Sequence, residues 1–128
     1  MLKRAYELSQ SGDFLGAAKE CESEYLRDQS LVSAVEGIDF YVLAASPQEA
    51  LRFAELVRRR IDVFRARVEF FRSLALWDAG DRDAARETFH EATRLGYQNR
   101  ERMLMEWSKR VDQATLAAME SEMSSNKS

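Results

Sequence analysis

A short motif that returns at a regular interval is the feature that most constrains how this chain can fold. Gly12–Phe14 is followed by Ala17, and Gly80–Arg82, 68 residues further on, is followed by Ala85. Ala50 occupies the middle position, so that the three alanines lie 33 and 35 residues apart. A period of about 34 residues is typical of chains built from successive helix-turn-helix units.

The residue types in the motif fit such a unit physically. A tight turn between two helices favours glycine, and an aspartate directly after it can cap the second helix. The alanine lies where the second helix crosses the first, and a larger side chain there would push the two helices apart. The middle copy has Pro47 near the turn instead of glycine.

Apolar periodicity predicts seven helices, which pair as about 2–10 with 14–27, 31–45 with 48–60, and 63–79 with 82–95, before a last helix at 98–120. Ser30, Asp62 and Asp81 are candidate N-caps, and Asn99 or Gln98 opens the last helix. The segment 31–45 is rich in residues that also suit a strand. Whether 48–60 and 63–79 are two helices or one stays open, because nothing between them forces a stop.

Composition agrees with one helical domain. The 128 residues are 45% hydrophobic and 32% charged, which argues against a disordered chain. One proline and five glycines are too few for the turns of a sandwich or barrel. The predicted domain covers 1–120, with units at about 1–28, 30–61 and 62–96, a capping helix at 98–120 and a disordered tail at 121–128.

The third unit carries the clearest resemblance to a known family. Small, large, glycine, polar, alanine, aromatic and alanine positions are filled in turn by Ser73, Leu76, Gly80, Asp81, Ala85, Phe89 and Ala92. This order resembles the tetratricopeptide repeat (TPR), and the likeness extends over residues 2–95. It implies a right-handed superhelix of three units plus the capping helix, which would cover the last exposed face.

The resemblance also implies a binding surface. In TPR proteins the first helix of each unit lines a concave groove, and the matching positions here are Tyr6, Val35, Asp39, Val42, Arg67, Phe70, Leu74 and Trp77. Such a groove would suit an amphipathic helix or an extended apolar peptide. Trp77 fits the core at least as well as the groove. In size and layout the chain is also similar to small TPR-like chaperones of type III secretion needle subunits.

Charge and cysteine content restrict the partners and the compartment. The formal net charge of −3 does not suggest nucleic-acid binding, which usually needs a positive excess. Cys21 is the sole cysteine, so no internal disulfide can form and a reducing compartment is expected. The first residues lack the apolar core of a secretory signal, and the longest apolar run, 40–45, is too short for a membrane span. We therefore expect a cytoplasmic protein.

Candidate chemistry is sparse. His90 begins a pattern like that of zinc proteases, but Arg94 stands where the second ligand belongs. Cys21 could act as a nucleophile only beside a base, and His90 is the sole imidazole. Arginines at 58, 59, 60, 65 and 67 could meet an acidic partner or RNA, although the end of a helix also favours positive charge. We predict no enzyme, no metal and no cofactor.

Two functions stay open at this stage. The first is an adaptor or small chaperone that binds an apolar segment of another protein in the groove. The second is a scaffold subunit that associates with itself through its helical faces, with Met103, Leu104 and Trp107 of the last helix as an exposed contact.

Overall fold

The computed structural model describes residues 3–125, and every regular element in that range is an α-helix. The helices are α1 (Lys3–Gln10), α2 (Phe14–Asp28), α3 (Leu31–Leu43), α4 (Pro47–Arg58), α5 (Arg65–Asp78), α6 (Arg82–Arg94), α7 (Arg100–Trp107) and α8 (Gln113–Ser125). The prediction of an all-α chain is confirmed over these residues. It holds for α3 as well, whose β-branched and aromatic side chains are largely buried between helices.

Four turns share one backbone geometry. Gly12, Ala45, Gly80 and Gly96 follow a helix with φ values of 88°, 54°, 93° and 102°. At each, two backbone hydrogen bonds close the helix end, as where the N–H of Gly12 donates to Ser9 and that of Asp13 to Leu8. This left-handed C-cap favours glycine because a Cβ is disfavoured at positive φ. Ala45 therefore adopts the glycine conformation, so the middle turn matches its neighbours despite its different sequence.

Side-chain caps begin several helices, as the sequence indicates. The carboxylate of Asp13 accepts the N–H of Gly16 at 2.8 Å, and that of Asp81 accepts the N–H of Ala84 at 3.3 Å. Ser30 caps α3, and Asn99 caps α7 through the N–H of Arg102 at 3.1 Å. The assignment of Asp62 as an N-cap is wrong. Phe64 takes that position before α5, without a side-chain hydrogen bond.

The segment 59–64 separates α4 from α5, which settles the question left open by the sequence. It contains no glycine or proline, and its backbone turns through the bond from the N–H of Arg60 to the carbonyl of Val57. Ile61 is buried with 1% of its surface exposed, whereas Val63 is 81% exposed. A buried isoleucine thus fixes the middle of this connection while the residues around it face water.

The single helix predicted at 98–120 is wrong, since the structure has α7 and α8 there. The carbonyl of Trp107 accepts the N–H groups of both Arg110 and Val111, which tightens the chain into a turn. The carboxylate of Asp112 then accepts the N–H of Thr115 at 2.7 Å and starts a new helix. The sequence did not indicate this break, because apolar residues continue at helical spacing across it. Helix α8 reaches Ser125, so the predicted boundary at 120 falls too early; residues 1–2 and 126–128 lie outside the described range.

Consecutive helices from α1 to α6 pack against each other, and α3 also packs on α5. Ala17, Ala50 and Ala85 have no exposed surface, as their predicted packing role requires. Gly37 of α3 allows an equally close approach. A Cβ there would lie 2.7 Å from the Phe53 ring and 3.0 Å from Cys21, so any side chain would force α2 or α4 away. Helix α8 packs on α6 and α7.

Candidate functional site

The eight predicted groove positions do not form an open surface. Val35, Val42, Phe70 and Leu74 are at most 4% exposed, and Asp39 and Trp77 are buried as well. Tyr6 is 46% exposed, and the Arg67 side chain is 42% exposed while it pairs with Glu36 at 3.2 Å. An apolar groove lined by these side chains is therefore absent from the described part of the chain, because its apolar members already have neighbours.

The segment that leads into α7 supplies part of that cover. The ring of Tyr97 stacks on Phe70 with centroids 4.2 Å apart and planes within 9°. The Arg102 guanidinium lies 5.3 Å from the centre of the Phe71 ring. A partner residue could reach Phe70 only after Tyr97 had moved.

Helix α7 is fixed by a chain of ion pairs that runs along its length. Arg102 donates to Asp39 of α3 at 3.0 Å and to Glu106, one helical turn later, at 3.2 Å. Arg110, a further turn on, makes two 2.8 Å bonds to Asp78 and bonds to Glu106. Burial raises the pKa of Asp39, and the hydrogen bond from Arg102 opposes that rise. Helix α7 is thus joined to both α3 and the end of α5.

Beside α7 lies an apolar cleft of about 420 Å³. Its walls come from α5, α6, the end of α7 and α8, and its lining residues are Trp77, Arg86, Phe89, Trp107, Val111, Ala114, Thr115, Ala118, Met119 and Glu122. We call this space the tryptophan cleft. The rings of Trp77 and Phe89 meet Trp107 edge to face, with centroids 5.4 and 5.9 Å away. Arg82 lies over the Trp77 ring at 4.6 Å, and the charged side chains that line the cleft are Arg86 and Glu122.

Helix α8 covers the tryptophan cleft but is weakly attached. Met119 is its one buried side chain, whereas the shorter α7 buries three. An ion pair between Arg100 and Glu120 and a hydrogen bond between His90 and Glu122 connect α8 to the rest of the chain. The side chains of Arg100 and His90 are both more than 60% exposed. Ion pairs this exposed typically contribute only about 0–1 kcal/mol each, so α8 is held mainly by a few partly buried apolar side chains.

The residues predicted as an exposed self-association contact are mostly core. Met103 and Trp107 have no exposed surface, and Leu104 is half-buried. That prediction was wrong because it assumed one amphipathic helix with a free apolar face. In the structure that face packs on α5, α6 and α8 through Trp77, Phe89 and Met119.

The arginine-rich segment is largely paired within the chain. Arg58 lies 3.2 Å from Glu55 and 3.0 Å from the buried carboxylate of Glu69. Arg60 donates to Gln29, and Arg67 to Glu36. Three of these partners lie in α3, α4 and α5, and Gln29 directly follows α2, so the arginines join helices in addition to facing water. That arrangement fits a structural role for them.

Cys21 and His90 occupy unrelated environments. Cys21 is fully buried in α2, and burial, with Glu24 close by, raises the pKa of its thiol to about 12. The thiolate required for nucleophilic attack is thus scarce at neutral pH. His90 is exposed on α6 and faces Glu122 of α8. No group of three or more metal-binding side chains of the His, Cys, Asp or Glu type occurs within residues 3–125.

Sequence reasoning missed Tyr97, Arg102 and Arg110. A usable signal existed, because Arg102, Glu106 and Arg110 follow each other at four-residue spacing with alternating charge. That spacing predicts pairs along one helix, but not the partners Asp39 and Asp78, which only the tertiary structure supplies.

No family model, curated protein or solved structure matches this chain. Within residues 3–125, every helix is too short or too polar to cross a lipid bilayer.

Proposed function

We propose that this chain is a protein-interaction domain, an adaptor or small chaperone, that binds an apolar helical or extended segment of a partner protein. The observation that carries the proposal is the tryptophan cleft. It places Trp77, Phe89, Trp107 and Met119 around one space of about 420 Å³. These four side chains are at most 9% exposed, so they form the inner wall of a cleft and not an open surface. A concave apolar cleft of this size with aromatic walls and a few charged groups is typical of a binding site that receives an inserted side chain.

The proposal includes the TPR-like architecture, a right-handed superhelix of three units with a C-terminal cap. It is supported by the recurrence of one turn geometry at Gly12, Ala45 and Gly80. The fully buried alanines at 17, 50 and 85 also repeat with that spacing. Here the cap is the α7–α8 pair. The proposed contact with the partner therefore differs from the predicted groove, since of the eight groove positions Trp77 alone lines the cleft.

A matched pair of substitutions tests the proposal. Ala117 and Ala118 are neighbouring exposed residues of α8, but only Ala118 lines the cleft. We expect Ala118→Trp to fill the cleft and reduce capture of a partner from lysate at least tenfold relative to wild type. Ala117→Trp, the control, should leave capture within about twofold. The captured protein is then purified and its affinity for the three chains is measured by calorimetry.

Equal capture by Ala117→Trp and Ala118→Trp would mean that the binding surface lies outside the cleft. Replacing Phe70 is a poor alternative test, because a fully buried ring removed from the core costs about 3–5 kcal/mol and could unfold the chain.

A further inference from the structure

Helix α8 shows what kind of segment the tryptophan cleft accepts. Ala114, Ala118 and Met119 of α8 line the cleft, while Leu116 and Met123 pack against the core nearby. One wall of the cleft is thus supplied by one large apolar side chain and two small ones of a helix. Leu116, Met119 and Met123 are three and four residues apart, which is the spacing of one helical face.

Charge around the cleft is complementary to α8. Arg86 lines the cleft, and Arg100 and His90 pair with Glu120 and Glu122. At the start of α8, the hydrogen bonds from Thr115 and the nearby charge of Arg86 lower the pKa of Asp112. The acidic groups of α8 therefore lie close to basic side chains of α6 and α7.

The attachment of α8 is weak enough for competition. Its one buried side chain and its exposed contacts with Arg100 and His90 contrast with the largely buried ion pair between Arg102 of α7 and Asp39. Elements with few buried contacts open locally at a much lower free energy than the rest of a protein.

From these three observations we propose that the partner's binding segment is an acidic amphipathic helix that takes the place of α8 as one wall of the tryptophan cleft. The inference rests on the proposed function and adds the chemistry of the partner and the displacement of α8. A helix with an apolar residue at the Met119 position and carboxylates near Arg100 and His90 would satisfy the same surface that α8 now covers.

The test uses the full chain, with α8 either cross-linked to α6 or free to leave the cleft. His90 and Glu122 are in contact, so His90→Cys/Glu122→Cys places two exposed thiols where a short bifunctional maleimide can join them. Cys21 is buried with its thiol protonated, and mass spectrometry checks that it stays unmodified. The matched control is the same variant treated with a monofunctional maleimide, which leaves α8 free.

The probe is a fluorescent peptide with the sequence of residues 112–125, followed by anisotropy. We expect the control chain to bind it at least fivefold more tightly than wild type, and the cross-linked chain at least tenfold more weakly than the control. A peptide with Glu120→Gln should bind the control chain at least twofold more weakly than the original peptide, since Arg100, the partner of Glu120, is unchanged in that chain.

Three results would overturn the inference. Equal binding by the cross-linked and control chains would mean that α8 is not displaced. No binding by any chain would mean that the surface does not accept such a helix. A dimer of the control chain in light scattering would make a second copy of α8 the occupant. If the cross-linked chain still captures the cellular partner while Ala118→Trp does not, the proposed function stands and only the displacement fails.

Discussion

Helices α7 and α8 are neighbours in sequence, but the structure holds them in opposite ways. The eight residues of α7 bury Met103, Glu106 and Trp107 and connect to α3 through Arg102, while Arg110 in the turn after α7 connects to the end of α5. The thirteen residues of α8 bury only Met119, together with a few partly buried apolar side chains, and their contacts with Arg100 and His90 are exposed. Burial and buried charge pairing, rather than helix length, therefore distinguish a fixed element from one that a ligand could replace.

Removal of the Trp107 side chain should show the contrast most strongly. Trp107 is fully buried between Trp77 and Phe89, so Trp107→Ala should lower the free energy of unfolding by about 3–5 kcal/mol. Urea denaturation followed by circular dichroism measures the loss. Met119→Ala, the matched change in α8, should cost clearly less, because methionine is smaller than tryptophan and is 9% exposed whereas Trp107 has no exposed surface. Equal losses for the two variants would contradict the comparison.

Loss of the Arg102 side chain should have the next largest effect on the free energy of unfolding. Arg102→Ala leaves Asp39 buried without its cation, and breaking such a pair costs about 3 kcal/mol at neutral pH. The pKa of Asp39 is already raised by burial and should rise further in the variant. A raised pKa means that the folded state binds the proton more tightly than the unfolded state, so the destabilisation should shrink as the pH falls and Asp39 becomes protonated.

Denaturation of wild type and Arg102→Ala at about pH 7 and about pH 4.5 checks the sign of that dependence. Arg100→Ala is the control on the α8 side, since its partner Glu120 is more exposed than Asp39 and stays solvated. A penalty for Arg102→Ala that is independent of pH would show that packing, not charge, makes the contact with Asp39 important.

A smaller effect should follow removal of the cap at the start of α8. Asp112→Ala takes away the acceptor for the N–H of Thr115 and should destabilise α8 by about 1 kcal/mol. Amide hydrogen exchange should rise across α8 while the amides of α7 keep their protection. Equal acceleration in both helices would mean that α7 and α8 open together.

The smallest effect on global stability is expected for Glu120→Gln/Glu122→Gln. Both carboxylates contact exposed side chains, Arg100 and His90, so the free energy of unfolding should change by less than about 1 kcal/mol. Exchange within α8 should nevertheless become faster, since these pairs are among its few attachments. If exchange in α8 is unchanged, the partly buried Leu116 and Met123 hold the helix without help from charge.

Local chemistry made most of the fold predictable. Gly12, Gly80 and Gly96 mark helix ends, Asp13 and Asp81 mark helix starts, and the buried alanines mark the crossings. Such signals act within a few residues, so the sequence displays them directly. The helix break before Asp112 was missed because apolar spacing continues across it.

The candidate site was much harder to predict. Positions such as Phe70 and Leu74 have the same residue types whether they line an open groove or pack against another segment. Only tertiary contacts, such as the stacking of Tyr97 on Phe70 and the reach of Arg102 to Asp39, show that they are covered. A pattern assigns a side chain to a helix face, but it does not say what lies against that face.

The connection 59–64 has a consequence for how the length of the chain can vary. The turn residues Gly12, Ala45 and Gly80 are 33 and 35 positions apart, so the two intervals differ by two residues. The longer interval contains this six-residue connection, whereas α2 and α3 are joined by two residues. Ile61 holds the connection to the core, and the exposed Val63 lies beyond it. Evolutionary insertions and deletions, or an inserted epitope tag, should therefore be tolerated beside Val63 far better than between α2 and α3.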